Sequence, residues 1–141
     1  MNIAQASPIY ELTVTAIGPL VAEFTEAGIW VLFHESVPEE LAEFAILHRA
    51  APPRAPLAPG HTLQIEQDQY RITAVGAVAN HNLRELGHLV LKANGATEAE
   101  LPGDVCVEAR PLPQPRIGMR LWVWANGEEV GDGAVRAVDR A

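Results

Sequence analysis

The ten residues at 51–60, APPRAPLAPG, cannot belong to a helix or to an interior strand. Their four prolines remove backbone donors and fix φ, so the segment is an extended, stiff loop. The same punctuation recurs throughout: eleven prolines and eleven glycines in 141 residues cut the chain into short pieces. Most of the pieces between the cuts alternate and are rich in β-branched or aromatic residues. IYELTVTAIG (9–18), GIWVLFHE (28–35), HTLQIEQ (61–67), YRITAVG (70–76), HLVLKA (88–93), DVCVEA (104–109) and MRLWVWA (119–125) each read as a strand. Asp68-Gln69 reads as the tight turn of a hairpin between the third and fourth of them. Two stretches change period. In SVPEELAEF (36–44), Ser36 caps a short helix, Pro38 fits its first turn and Glu39 completes an S-x-x-E box, with Leu41 and Phe44 on one face. Whether this helix runs on through FAILHRA (44–50) or yields to a strand at Ala45 stays open, because so short an apolar run fits both. In NLRELG (82–87), Asn82 caps one helical turn, Glu85 stands at the box position and Gly87 takes the left-handed stop. About seven strands and one or two short helices predict a mainly β fold, a small closed or semi-closed barrel. One domain is expected over residues 1–125, with 126–141 an extension that adds an edge strand or stays flexible.

Charge and cysteine count narrow the function classes. A formal net charge of −8 leaves no positive face to displace counterions from nucleic acid or to dock on an anionic membrane. The single cysteine, Cys106, permits neither an intrachain disulfide nor a cysteine metal cluster, and its place between Val105 and Val107 reads as a small buried hydrophobe. MNIAQASP lacks the basic start and apolar stretch of a secretory signal, and no run of 18 apolar residues spans a membrane. A cytoplasmic protein is expected. Exposed edge strands would make a homodimer through strand pairing plausible.

The chemistry then falls to five histidines: His34, His48, His61, His81 and His88. None stand at i, i+4 or as H-x-H, so no local metal-ligand pair exists, and no phosphate loop, dinucleotide fingerprint or serine elbow is present; neither metal nor cofactor is expected. His48 ends the apolar run FAIL and is followed by Arg49 and the proline loop. It reads either as a packed histidine or as a nucleophile held half in and half out on a rigid seat. An imidazole with a pKa near 6.5 is largely neutral, and so nucleophilic, at pH 7. Arg84 and Glu85 read as a solvated face, and Trp30, Trp122 and Trp124 as barrel packing.

The tract YRITAVGAVANHNLRELGHLVLKANGATEAELPGDV (70–105) resembles the glucitol/sorbitol-specific IIA component of the sugar phosphotransferase system. The resemblance is carried by AVG (74–76), NLRELGH (82–88) and LPGDV (101–105). Upstream it is carried by VPEELAEF, AILH and Pro59-Gly60, and it extends over roughly 9–110. It implies a mainly β barrel and a phosphohistidine on the histidine that ends the apolar run, here His48. It implies a phosphoryl group arriving from the phosphocarrier HPr and leaving to a cysteine of the IIB component, which serves a membrane IIC permease. Relatives can carry a second histidine where this chain has Ala50, and the 51–59 loop and the tail beyond about 115 differ from shorter relatives. The chemistry of holding a phosphoryl group calls for one or two donors beside it. His88, placed by the NLRELG turn, is the expected donor, with His61, after Pro59-Gly60, the next choice. The alternatives are a non-catalytic regulatory or binding module on the same scaffold and a metal-dependent hydrolase on scattered histidines.

Overall fold

The computed structural model describes residues 7–125. The extension at 126–141 expected to supply an edge strand or a flexible tail lies outside them. Eight strands and three short helices are present among the described residues. The strands are β1 (Tyr10–Ile17), β2 (Ile29–His34), β3 (Ile46–Ala50), β4 (Thr62–Ile65), β5 (Asp68–Val75), β6 (Leu89–Lys92), β7 (Asp104–Val107) and β8 (Arg120–Trp124). They close into one barrel in the order β1-β3-β2-β6-β7-β5-β4-β8. The barrel is mixed. Two seams, β2–β3 and β6–β7, are parallel, and the other six neighbours are antiparallel.

Closure follows from the alternation already visible in the strands. Tyr10, Leu12 and Val14 of β1, Leu63 and Ile65 of β4, Leu89 and Leu91 of β6, and Leu121 and Val123 of β8 are buried in one cluster with Trp30, Tyr70 and Ile72. Each inward side chain alternates with a more exposed neighbour, the two-residue period of a half-buried strand. β7 is the exception: Asp104, Val105, Cys106 and Val107 are all buried, so this strand is covered on both faces. Cys106 is a buried free thiol, as expected. Because every described strand has two neighbours, the expected edge strands are absent from this part of the chain. Strand addition therefore gives no physical route to the homodimer among the described residues.

Several local expectations are corrected. A helix, α1 (Val21–Glu26), occupies a stretch for which no element was expected. The 36–44 helix shrinks to α2 (Glu39–Ala42), with Pro38 at its N-cap and no side-chain cap. Ser36 bonds the His34 ring instead of the helix. β3 then settles the open case in favour of a strand. The hairpin turn lies at Glu66-Gln67 rather than Asp68-Gln69, since Ile65 pairs with Asp68 and Glu66 takes φ 52°. The NLRELG turn is the second half of a longer helix, α3 (Ala79–Leu86), so Asn82 is interior and Val78 occupies the N-cap. The stop was read correctly: Gly87 has φ 63°, ψ 20°, the left-handed conformation. The proline-rich loop is anchored rather than free. Asn80 of α3 accepts from the Leu57 N–H at 2.8 Å and donates to the Leu57 carbonyl at 3.0 Å, and the Leu57 side chain is buried.

Candidate functional site

The site forms at the parallel seam between β2 and β3. The chain between these strands is the short, proline-started stretch containing α2, a strand–helix–strand connection of the kind parallel pairing requires. Parallel register sets Leu32 opposite Ile46, Phe33 opposite Leu47 and His34 opposite His48. His34, the last residue of β2, therefore stands level with His48, the middle residue of β3.

His48 lies on the inward side of β3 with Ile46, while Arg49 faces out. Its exposure is 0%, which corrects the half-in, half-out placement expected from the sequence. The reason is parity. Ile46 and His48 alternate onto the same face, so a ring two residues beyond a core isoleucine must point inward as well. The Nε2 of His48 donates to the Gly87 carbonyl at 2.8 Å; a carbonyl only accepts, so Nε2 carries the proton. The neutral ring then has its lone pair on Nδ1, and Nδ1 is buried without a hydrogen-bond partner. Burial pushes the His48 pKa below the ordinary imidazole range. His34 nearby acts in the same direction, and the Gly87 bond opposes both. The neutral, nucleophilic form is therefore the resident one at pH 7.

A cavity of about 440 Å³ adjoins this ring. Its wall combines His34, His48 and Tyr10 with the α2 approach at Ser36–Pro38, the start of the proline loop at Ala51–Pro52 and the end of α3 at Arg84–Gly87. Gly87 is pinned there for two reasons. Its left-handed φ suits glycine, and a Cβ would lie 3.0 Å from the His34 backbone N, from the His34 Cβ and from the His48 Cε1. Outside the seam, Arg49 forms a two-pronged bond with Glu35 at 2.8 and 3.2 Å, which holds that exposed carboxyl below the usual range.

Of the three site residues expected from the sequence, His48, His88 and His61, only His48 lines the cavity. His88 follows Gly87 directly, but its Nδ1 donates to the Leu32 carbonyl at 3.2 Å and its ring stacks on Phe33 at 4.1 Å, inclined by 8°. It thus buttresses a cavity-lining residue without itself lining the cavity. His61 closes the turn that opens β4. Its Nδ1 accepts from the Ala58 N–H at 3.2 Å, and it is not part of the cavity wall either. The residue that sequence reasoning left without a role is His34. Its ring stands edge-on to His48, 6.1 Å between centroids and 79° between planes. The available signal was the strand–helix–strand pattern of GIWVLFHE, SVPEELAEF and AILH, which suits parallel pairing but leaves the register that brings His34 level with His48 to the fold. Among the described residues no group of three or more His, Cys, Asp or Glu side chains is disposed to hold a metal ion, and no helix is long and apolar enough to cross a membrane.

Comparison with known proteins identifies the family. The profile of the family "PTS system glucitol/sorbitol-specific IIA component" matches residues 9–122. The chain is 40% identical over 105 residues to the "PTS system glucitol/sorbitol-specific EIIA component" of Shigella flexneri, covering 74% of this chain and 85% of that one. The component of the same name from Escherichia coli (strain K12) gives the same identity and coverage. Among solved structures, the crystal structure of a PTS system IIA component from Enterococcus faecalis V583 superposes with a TM-score of 0.69 at 30% identity, covering 79% of this chain and 96% of that one.

Proposed function

The chain belongs to the glucitol/sorbitol-specific IIA family of the phosphotransferase system, and on that premise we propose that it is a phosphoryl carrier whose acceptor is the imidazole of His48. In this reading phospho-HPr supplies the group and a cysteine of the IIB component removes it, for uptake and phosphorylation of a polyol by the IIC permease. The observation that carries the reading is the state of the His48 ring: neutral, fixed by the Gly87 carbonyl, with one nitrogen unpartnered beside a cavity. A buried polar atom left without a partner costs about 1–3 kcal/mol; Thr15, Thr25 and Trp30 also carry one, and the His48 nitrogen differs from theirs in being nucleophilic.

The chemistry needs little more. The lone pair of the unprotonated ring nitrogen attacks phosphorus, and the P–N bond of the donor phosphohistidine breaks with its electron pair returning to the donor ring. If the Gly87 bond is kept, the Nε2 proton stays in place and its carbonyl stabilises the positive charge that the phosphorylated ring acquires. This keeps the ring a good leaving group for the second transfer. Because the ring has no exposed surface, docking of a partner must first part the wall built from 36–38, 51–52 and 84–87. Apolar lining residues such as Phe33, Val37 and Leu83 then exclude water from the phosphohistidine. His88 serves as a positioning residue through the Leu32 carbonyl and Phe33.

The same burial favours a second reading, a regulatory module that keeps the barrel and has lost transfer. Incubation of the full chain with phosphoenolpyruvate, the energy-coupling enzyme and HPr separates the two. The carrier yields an acid-labile, base-stable phosphate mapped by mass spectrometry to His48, and the regulatory module yields none.

A further inference from the structure

We propose that His34 is the second imidazole of the reaction, donating a hydrogen bond to the phosphoryl oxygens while they are carried on His48. The proposal rests on the reading of His48 as acceptor and adds the group that steadies the charge. Three independent features of the seam support it. Parallel register places His34 level with His48, with the rings edge-on at 6.1 Å and both in the wall of one cavity. Next, the orientation of His34 is set. Its Nδ1 accepts from the Ser36 backbone N–H at 3.3 Å and stands 3.0 Å from the Ser36 hydroxyl, so in the neutral ring the proton resides on Nε2. A fixed tautomer with one remaining donor is the preorganised form that stabilises developing negative charge without reorganising. Finally, Gly87 packs close to both residues: a Cβ there would lie 3.0 Å from the His34 backbone N and Cβ and from the His48 ring at Cε1.

Two other donors of the wall, Arg84 and Ser36, are less suited. Arg84 is exposed and its nearest carboxylate partner, Glu85, is 3.9 Å away, so nothing fixes it. The Ser36 hydroxyl is within bonding distance of His34 itself. During transfer the P–N bond forms at His48 as the donor P–N bond breaks. His34 keeps its proton throughout and only hydrogen-bonds, so no further acid, base or co-reactant is needed.

The test uses the full chain and phospho-HPr generated from phosphoenolpyruvate by the energy-coupling enzyme. Single-turnover transfer to His34→Ala should be slowed by about 10²-fold, the usual effect of removing one preorganised donor. His34→Gln, which retains an N–H, should recover at least tenfold of that loss, a rescue that a purely structural role would not give. In the unsubstituted chain, the ¹H–¹⁵N resonance of the His34 Nε2–H should shift when His48 is phosphorylated, which tests the contact even if the alanine variant fails to fold. A His34→Ala rate within twofold of the parent, with phosphate on His48, would overturn the proposal. So would an Nε2–H resonance unmoved by phosphorylation. A parent chain that takes no phosphate at all would instead defeat the carrier reading, and the proposal with it.

Discussion

The barrel has two parallel seams, and both bury ionisable side chains, yet they treat them in opposite ways. At β6–β7, Asp104 is 1% exposed and ion-paired: Lys92 meets its Oδ2 at 2.8 Å and the Leu101 N–H donates to the same oxygen at 3.1 Å. At β2–β3, His48 is equally buried but one of its nitrogens has no partner. A buried carboxylate without its counter-ion would be too costly to keep, so the first seam is closed by mutual satisfaction. A neutral imidazole tolerates one orphan nitrogen at modest cost, so the second seam can hold a reactive group in reserve. On the proposed reading of His48, burial alone does not separate a structural ionisable residue from a functional one; the partners of its polar atoms must be compared as well.

The sharpest way to break this contrast is His48→Gln. It should abolish phosphorylation altogether while melting within a few degrees of the parent, since glutamine can still donate to the Gly87 carbonyl; residual phosphate on this variant would remove His48 from the site. Lys92→Met should do the reverse, leaving transfer intact and lowering unfolding free energy in urea by about 3 kcal/mol, because Asp104 is left buried and unpaired. Gly87→Ala links stability and function. The left-handed backbone alone costs about 1–2 kcal/mol, and the displaced carbonyl should reduce the transfer rate as well.

The two seams should also fail at opposite ends of the pH scale. The folded His48 pKa lies below its ordinary value of 6.5, so between the two values the unfolded chain binds more protons. The stability due to the neutral ring is complete above pH 6.5 and is lost as pH falls toward the folded pKa, at no more than about 1.4 kcal/mol per pH unit. Urea titrations of His48→Gln should show that acid slope reduced. Lys92 is shifted upward from 10.5, chiefly by its bond to Asp104, so its contribution is complete below pH 10.5 and is lost as pH rises through the folded value. The smallest effect expected is at Arg49→Gln. Its pair with Glu35 is solvent-exposed, and the melting temperature should not change measurably.

The strands were legible because their alternation and glycine or proline borders are local properties. The barrel class followed from their number. Local signals failed where tertiary contact overruled them: Ser36 has the chemistry of a helix cap but spends it on His34, and Asn82 was displaced from the cap because α3 begins at Ala79. The depth of His48 was not legible, since it depends on whether the run after Phe44 is a strand or continues the helix. His34 was overlooked as a partner because residues 14 apart in the chain meet only once the register of β2 and β3 is known. His88 and His61 were preferred to it in the sequence, but their rings bond backbone groups away from the cavity, which neither lines.

Two strands that run the same way cannot be joined by a tight turn; the chain must travel back along the barrel before it can begin the second one. Here that return journey is the stretch carrying Ser36, Val37, Pro38 and Leu41, which also lines the cavity beside His48. Walling the cavity and connecting the strands are thus one job done by one segment. Trimming the return path would change the wall and also take away the length that lets the two histidines come level.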